Sequence, residues 1–123
     1  WREGIKNKGF VTQQPAHIND IMPTCLELAR ATYPKKYNGE ILDRLDGHSL
    51  LPLIDRNEQD KNREYYWEHE GNRALRVSNW KLVAINKTQW ELYNLAVDPY
   101  ELNNLIEQES EKASELLAKY GHM

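Results

Sequence analysis

The side chains most able to do chemistry together lie in the run Trp67-Glu68-His69-Glu70-Gly71-Asn72-Arg73. His69 can donate or accept a proton near neutral pH, and Arg73 can hold an anion through two parallel N–H bonds. Glu70 and Asn72 add a carboxylate and an amide between them. At the end of a strand and in its turn, such side chains can converge on a ligand. The same residues serve equally as a solvated hairpin tip with ordinary cross-strand pairs. His69, Glu70, Asn72 and Arg73 are therefore the candidate substrate-contacting residues.

Other reactive residues are more easily explained by packing. Cys25 falls on an apolar helical stripe with no basic partner nearby in sequence, which suits a packed core thiol better than a nucleophile. His17, His48 and His69 stand in no spacing that names a metal site, and His17 with Asp20 three residues later is too little on its own. Tyr65, Tyr66, Trp67 and Trp80 could stack on a sugar ring, but in a small sheet such rings usually form the core. No residue is assigned to catalysis and none to a metal.

Several elements must position these residues. Residues 1–16 carry Gly4, Gly9 and Pro15 around Phe10-Val11-Thr12, a loop leading into a brief extended segment. A helix follows over about residues 20–31, with Asp20 or Asn19 as its cap and Pro23 in its first turn. Ile21, Cys25, Leu28 and Ala29, widened by Met22 and Leu26, form a stripe expected to be buried. Residues 32–63 read as a long excursion anchored by Leu50-Leu51-Pro52-Leu53-Ile54, with Asp55 to Arg63 as an exposed loop.

From Glu64 the apolar period changes to two. The runs Glu64 to Glu70, Arg73 to Val77, Trp80 to Ile85 and Trp90 to Leu95 are separated by Gly71-Asn72, Ser78-Asn79 and Asn86-Lys87-Thr88, which predicts a four-stranded antiparallel sheet. Trp80, Leu82, Trp90 and Leu92 supply its buried side. Tyr65, Trp67 and His69 share one face of the first strand, with the first two expected to be packed and His69 partly exposed. Asp98-Pro99-Tyr100-Glu101 is a turn. A last helix over about residues 106–120 presents Ala113, Leu116, Leu117 and Tyr120 to the sheet, with Gly121 as its stop. The fold class is α+β, with residues 1–60 as one part and 61–123 as the other.

Composition excludes several classes of function. Sixteen Lys and Arg against nineteen Asp and Glu leave a net charge of -3 with both signs scattered, which does not suit nucleic-acid binding. No apolar run approaches the ~20 residues of a membrane span. One cysteine rules out an internal disulfide framework. The opening Trp1-Arg2-Glu3-Gly4 has neither a Met nor a leader, so the chain reads as starting inside a longer protein.

Three segments, in order, resemble the C-terminal region of type I, formylglycine-dependent sulfatases of the arylsulfatase kind. Asp20-Ile21-Met22-Pro23-Thr24-Cys25-Leu26-Glu27-Leu28-Ala29 is similar to the family's D-x-x-P-T-x-L-x-L-A helix. Asp46-Gly47-His48-Ser49-Leu50-Leu51-Pro52-Leu53 is similar to its D-G-x-S-L-x-P-L loop. Arg73-Ala74-Leu75-Arg76 with Trp80-Lys81-Leu82, and Glu91-Leu92-Tyr93-Asn94-Leu95 through Asp98-Pro99-Tyr100-Glu101 and Asn104-Leu105, resemble the closing R-A-x-R…W-K-L and E-L-Y-[DN]-L-x-x-D-P-x-E-x-x-N-L. The resemblance implies the end of a large α/β catalytic domain followed by a smaller antiparallel subdomain with a terminal helix.

It also implies a parent enzyme, bacterial and periplasmic or secreted, that cleaves sulfated glycans or aryl sulfates with calcium and a formylglycine hydrate that attacks sulfur. Those groups sit upstream in the family. Cys25 does not match the C/S-x-P-x-R motif, because Glu27 stands where Pro would be and Ala29 where Arg would be. The chain alone is then a non-catalytic scaffold. Its partner is the N-terminal catalytic domain, and the Glu68 to Arg73 turn, His69 above all, borders the substrate pocket. Two other functions stay open: a small carbohydrate-binding module, and the end of a related phosphate or phosphonate ester hydrolase.

Overall fold

A computed structural model describes Ile5, residues 8–86 and residues 88–122. The opening Trp1-Arg2-Glu3-Gly4 and the turn residue Lys87 lie outside the described residues. The chain divides into two compact units, Trp1–Asp60 and Lys61–Met123.

The first unit is organised by a polar knot. A 3-10 turn, Ile18–Asp20, runs into helix α1, Ile21–Ala29. Asp20 makes no cap bond to α1. Its carboxylate accepts instead from the backbone N–H of His17 at 2.7 Å and of His48 at 3.0 Å, and it is fully buried. One turn later the Thr24 hydroxyl donates to the Asp20 carbonyl at 2.6 Å and accepts from the Leu50 N–H at 2.9 Å. Gly47 lets the two segments meet: a Cβ there would lie 2.0 Å from the Asn19 carbonyl oxygen. Two of the motif segments are thus two halves of one backbone clamp. Residues 10–17 carry no strand.

The long excursion holds two elements that periodicity did not announce. Lys36–Tyr37 (β1) and Glu40–Ile41 (β2) form a short antiparallel hairpin around Asn38-Gly39, both with positive φ. Leu51–Arg56 is a helix, α2, with a proline in its first turn and Asn57 in the left-handed conformation at its end. Leu53 is its buried anchor.

α1 corrects one expectation outright. Ile21, Met22, Cys25 and Leu28 are exposed, and so is Ala29. Cys25 is not a packed core thiol. The helix is held through its Asp20 and Thr24 side, which turns the apolar stripe away from everything the described residues of this unit provide.

The second unit is a four-stranded antiparallel sheet in the order β3-β4-β5-β6, from Glu64–His69, Asn72–Val77, Trp80–Ala84 and Glu91–Asn94. Glu70 and Gly71 both take positive φ in the two-residue β3–β4 turn, a conformation that matches strand twist. Helix α3, Ser110–Gly121, packs on one face. There Leu75, Leu82, Leu92, Ala113 and Leu116 form the core, ringed by Tyr66, Trp80, Trp90 and Tyr120. The Trp90 and Tyr120 rings meet edge to face at 5.0 Å, and Lys119 Nζ reaches Glu64 Oε1 at 2.5 Å.

Two details depart from expectation. α3 begins at Ser110, with turns before it, and Leu117 is exposed while Leu116 is buried. The stripe is narrower because one sheet face meets only one line of the helix. Gly121 is the helix's last residue, with His122 as the cap.

Beyond β6, Asn104-Leu105 closes the outer sheet edge: the Leu92 N–H donates to Asn104 Oδ1 at 3.0 Å and the Leu105 N–H to the Leu92 carbonyl at 2.8 Å. Asp98, in the turn, accepts from the Leu102 and Asn103 N–H groups at 2.9 and 2.8 Å. Those backbone bonds, Asn103 first, hold its carboxyl below the usual carboxylate range.

Candidate functional site

The β3–β4 turn fixes the register His69↔Asn72 and Glu68↔Arg73. Because neighbours along a strand face opposite ways, Asn72 and Arg73 cannot share a face. His69, Glu70 and Asn72 stay together at the tip. The His69 and Glu70 side chains are 83% and 81% exposed, with His69 Nε2 3.8 Å from Glu70 Oε2. Asn72 Oδ1 accepts from the Asn86 N–H at 3.0 Å, which ties the tip to the next turn.

Arg73 joins the α3 face instead. Its guanidinium lies 4.6 Å above the Trp90 ring, and its buried Nε has no hydrogen-bond partner among the described residues. Stacking on an indole orients a guanidinium and leaves its edge free to meet an anion.

On the face opposite α3, the strand alternation sets Tyr65 and Trp67 of β3 beside Ala74 and Arg76 of β4 and Lys81 of β5. Tyr65 is buried, whereas Trp67 is 39% exposed, more open than the packed residue expected of it. Their rings stack at 6.1 Å and 14°. Arg63 covers the Tyr65 ring at 4.7 Å. A concave space of about 430 Å³ opens here, lined by Trp67, Ala74, Arg76, Lys81, Leu95, Pro99 and Glu101. Lys81 Nζ bonds Glu101 Oε1 at 2.6 Å across it.

Sequence reasoning missed this pocket. Its one local signal is Ala74, a methyl group in a row of large side chains. Its other walls come from Leu95 to Glu101, which no strand period could place.

Two tyrosines mark the sheet's other polar contacts. The Tyr66 hydroxyl donates to Glu64 Oε2 at 2.6 Å, and burial together with that bond pushes its pKa up to about 12. The Tyr93 hydroxyl donates to Glu91 Oε2 at 2.7 Å, and that bond with burial pushes it likewise up to about 12. Both phenols stay protonated across the physiological range and act as fixed donors.

Among the described residues, no group of three or more His, Cys, Asp or Glu could hold a metal ion. No helix among them is long and apolar enough to cross a membrane.

The family described as N-sulphoglucosamine sulphohydrolase, C-terminal, matches residues 1–119. An uncharacterized sulfatase of Schizosaccharomyces pombe is 34% identical over 115 residues, covering 88% of this chain and 21% of that protein. Arylsulfatase K of Danio rerio is 31% identical over 118 residues, covering 85% of this chain and 21% of that protein. The chain thus spans about a fifth of the length of these relatives. Among solved structures, that of Ps i-CgsB superposes with a TM-score of 0.71 at 24% identity, covering 89% of this chain and 24% of the other.

Proposed function

The chain belongs to the N-sulphoglucosamine sulphohydrolase C-terminal family, and on that premise we propose that it closes a longer sulfuric ester hydrolase acting on sulfated glycans or aryl sulfates. The observation that carries the proposal is the family match across residues 1–119, which takes in both units, set against relatives several times longer. In this proposal residues 1–60 complete a catalytic α/β domain and residues 61–123 form a subdomain beside its substrate pocket. An exported parent, periplasmic or secreted, suits such substrates.

Calcium and formylglycine belong to the upstream part of that parent. The residues of this chain do not fit either group: no metal-holding cluster is present among the described residues, and Cys25 is followed by Glu27 and Ala29 rather than the Pro and Arg of the nucleophile motif. In this proposal the cleavage is carried out upstream, and the chain by itself would be inactive on sulfate esters.

Its contribution is recognition. His69 and Glu70, both exposed, and the half-buried Asn72 form a polar tip on the β3–β4 hairpin, which can reach a neighbouring sugar without costing the sheet packing energy. Arg73, oriented by Trp90, supplies a cation from the other face.

The test is His69→Ala in the longer enzyme, assayed on a sulfated glycan and on a small aryl sulfate. The expected loss in kcat/KM is on the order of ten-fold on the glycan and within about two-fold on the aryl sulfate, since a contact to the sugar is felt only when the sugar is present. Equal loss on both substrates would place His69 at the sulfate or in the scaffold. No loss on either would make the tip a solvated turn.

A further inference from the structure

We propose that Asn72 is a positioning residue, which ties the β3–β4 tip to the β5–β6 connection and so fixes where His69 and Glu70 are presented. The inference deepens the reading of the tip as a substrate contact and, for its bearing on activity, rests on that reading.

In this antiparallel order the β3–β4 turn and the β5–β6 connection lie at the same end of the sheet, with β5 between β4 and β6. The pair nearest that end in the β4–β5 ladder is Arg73↔Ala84. One step further, by the same register, Asn72 falls opposite Ile85, and there its side chain takes over from the ladder: Oδ1 accepts from the Asn86 N–H at 3.0 Å. Asn72 is also the register partner of His69. One residue therefore joins His69 on one side to Asn86 on the other.

The far end of that link is itself well held. Asn86 takes φ 48, in the left-handed region that Asn enters more readily than most residues, and the Thr88 N–H donates to the Ile85 carbonyl at 2.8 Å. Arg73 grips the same connection from the other face, through its guanidinium over Trp90, the residue just before β6. The first two residues of β4 thus hold it from both sides.

The tip needs such an anchor. Glu70 occupies the first position of the two-residue turn at φ 52, where Asn, Asp or Gly is the usual choice, because a left-handed backbone crowds the Cβ of other residues. A conformation of this kind persists only where the surroundings over-determine it. Burial separates the roles. The His69 and Glu70 side chains are exposed, whereas Asn72 is half-buried with its carbonyl oxygen already engaged. A ligand meets the first two, and Asn72 holds the backbone that carries them, which leaves less freedom to lose on binding.

The test begins with the 123-residue chain. Asn72→Ala removes the acceptor, and Asn72→Asp keeps it. Exchange of the Asn86 amide and the backbone order parameters of Glu70 and Gly71 read the tie. In Asn72→Ala, exchange at Asn86 should rise about ten-fold and the order parameters should fall from about 0.85 to below about 0.6, with Asn72→Asp restoring both. Unchanged exchange at the Leu82 amide establishes that the sheet is folded.

In the longer enzyme, Asn72→Ala should lower kcat/KM on a sulfated glycan about five-fold, through KM rather than kcat. The loss should shrink to under about two-fold when His69→Ala and Glu70→Ala are already present, since a residue that acts through them then has nothing to position. An equal loss in both backgrounds would make Asn72 a direct contact and overturn the proposal, as would a tip that stays ordered in Asn72→Ala or is not restored in Asn72→Asp. No effect of His69→Ala and Glu70→Ala on the glycan would sink the reading of the tip as a substrate contact, while a tip loosened by Asn72→Ala would still support the positioning role.

Discussion

Helix α1 and the β3–β6 sheet both carry a regular apolar pattern, yet they treat it in opposite ways. In the sheet unit the patterned residues are the core: Leu75, Leu82 and Leu92 are fully buried beneath α3. In α1 the patterned residues Ile21, Met22 and Leu28 are exposed, while the polar Asp20 and Thr24 are buried. Burial of a carboxylate is costly unless donors satisfy its oxygens, and the His17 and His48 N–H groups donate to them. The first unit is therefore held by directional bonds and a close backbone approach, the second by apolar area. If residues 1–60 complete a catalytic domain, as proposed, the exposed stripe would be covered there.

The difference predicts which substitutions matter in each unit, and the largest effect belongs to the sheet unit. Leu116→Ala should destabilise it by about 2–5 kcal/mol, because the side chain is completely enclosed and a cavity would remain. Urea unfolding followed by the fluorescence of Trp67, Trp80 and Trp90 reports on this unit. A loss below about 1 kcal/mol would mean that α3 is not the lid of the core.

Gly47→Ala is the corresponding break in the first unit. The new methyl would meet the Asn19 carbonyl oxygen at 2.0 Å and its carbon at 2.3 Å, both backbone, so one strand of the clamp must move. The expected cost is about 1–3 kcal/mol. It should show as faster hydrogen exchange at the His48 and Leu50 amides, whose acceptors are Asp20 and Thr24. Unchanged exchange there would show that the clamp does not hold the unit.

A third effect separates the units by pH. Asp98 has its carboxyl held below its ordinary value of 3.8 by backbone N–H bonds in the folded state. In the unfolded chain it binds a proton more readily, so its contribution is fully present above that ordinary value and is lost as pH falls through the lower, folded one. Asp98→Asn should flatten the acid limb of the sheet unit's stability and leave exchange at His48 and Leu50 unchanged. An acid limb identical to that of the unsubstituted chain would show that the turn carries no such linkage.

Much of the sheet was legible because period-two alternation, short turns and a buried side are all local signals, and Glu64–His69 through Glu91–Asn94 fall where they point. α2 and the β1–β2 hairpin were not, since six and two-residue elements leave no period to read. The exposure of α1 is not legible in its sequence for a physical reason: periodicity shows that a stripe is apolar but not what covers it. At the hairpin tip the residue types were legible and their faces only in part. The two-residue turn sets Asn72 beside His69 and sends Arg73 to Trp90. The pocket required a loop, Leu95 to Glu101, whose path is set by Asp98 and by the Lys81–Glu101 pair.

The smallest expected effect is the sharpest probe of the comparison. Met22→Gln and Leu28→Gln exchange apolar for polar side chains of nearly equal helix propensity, so in an exposed position they change little but hydration. Both residues are exposed here, 52% and 40%. Each substitution in this chain should therefore shift stability by no more than about 0.5 kcal/mol. In the longer protein the same changes would bury an amide against apolar neighbours, at a cost of about 1–3 kcal/mol each. A full loss in both contexts would mean that the stripe is already covered within this chain, and α1 would then resemble the sheet after all. No loss in either would leave the stripe without a partner, and the place proposed for residues 1–60 inside a catalytic domain would fail with it.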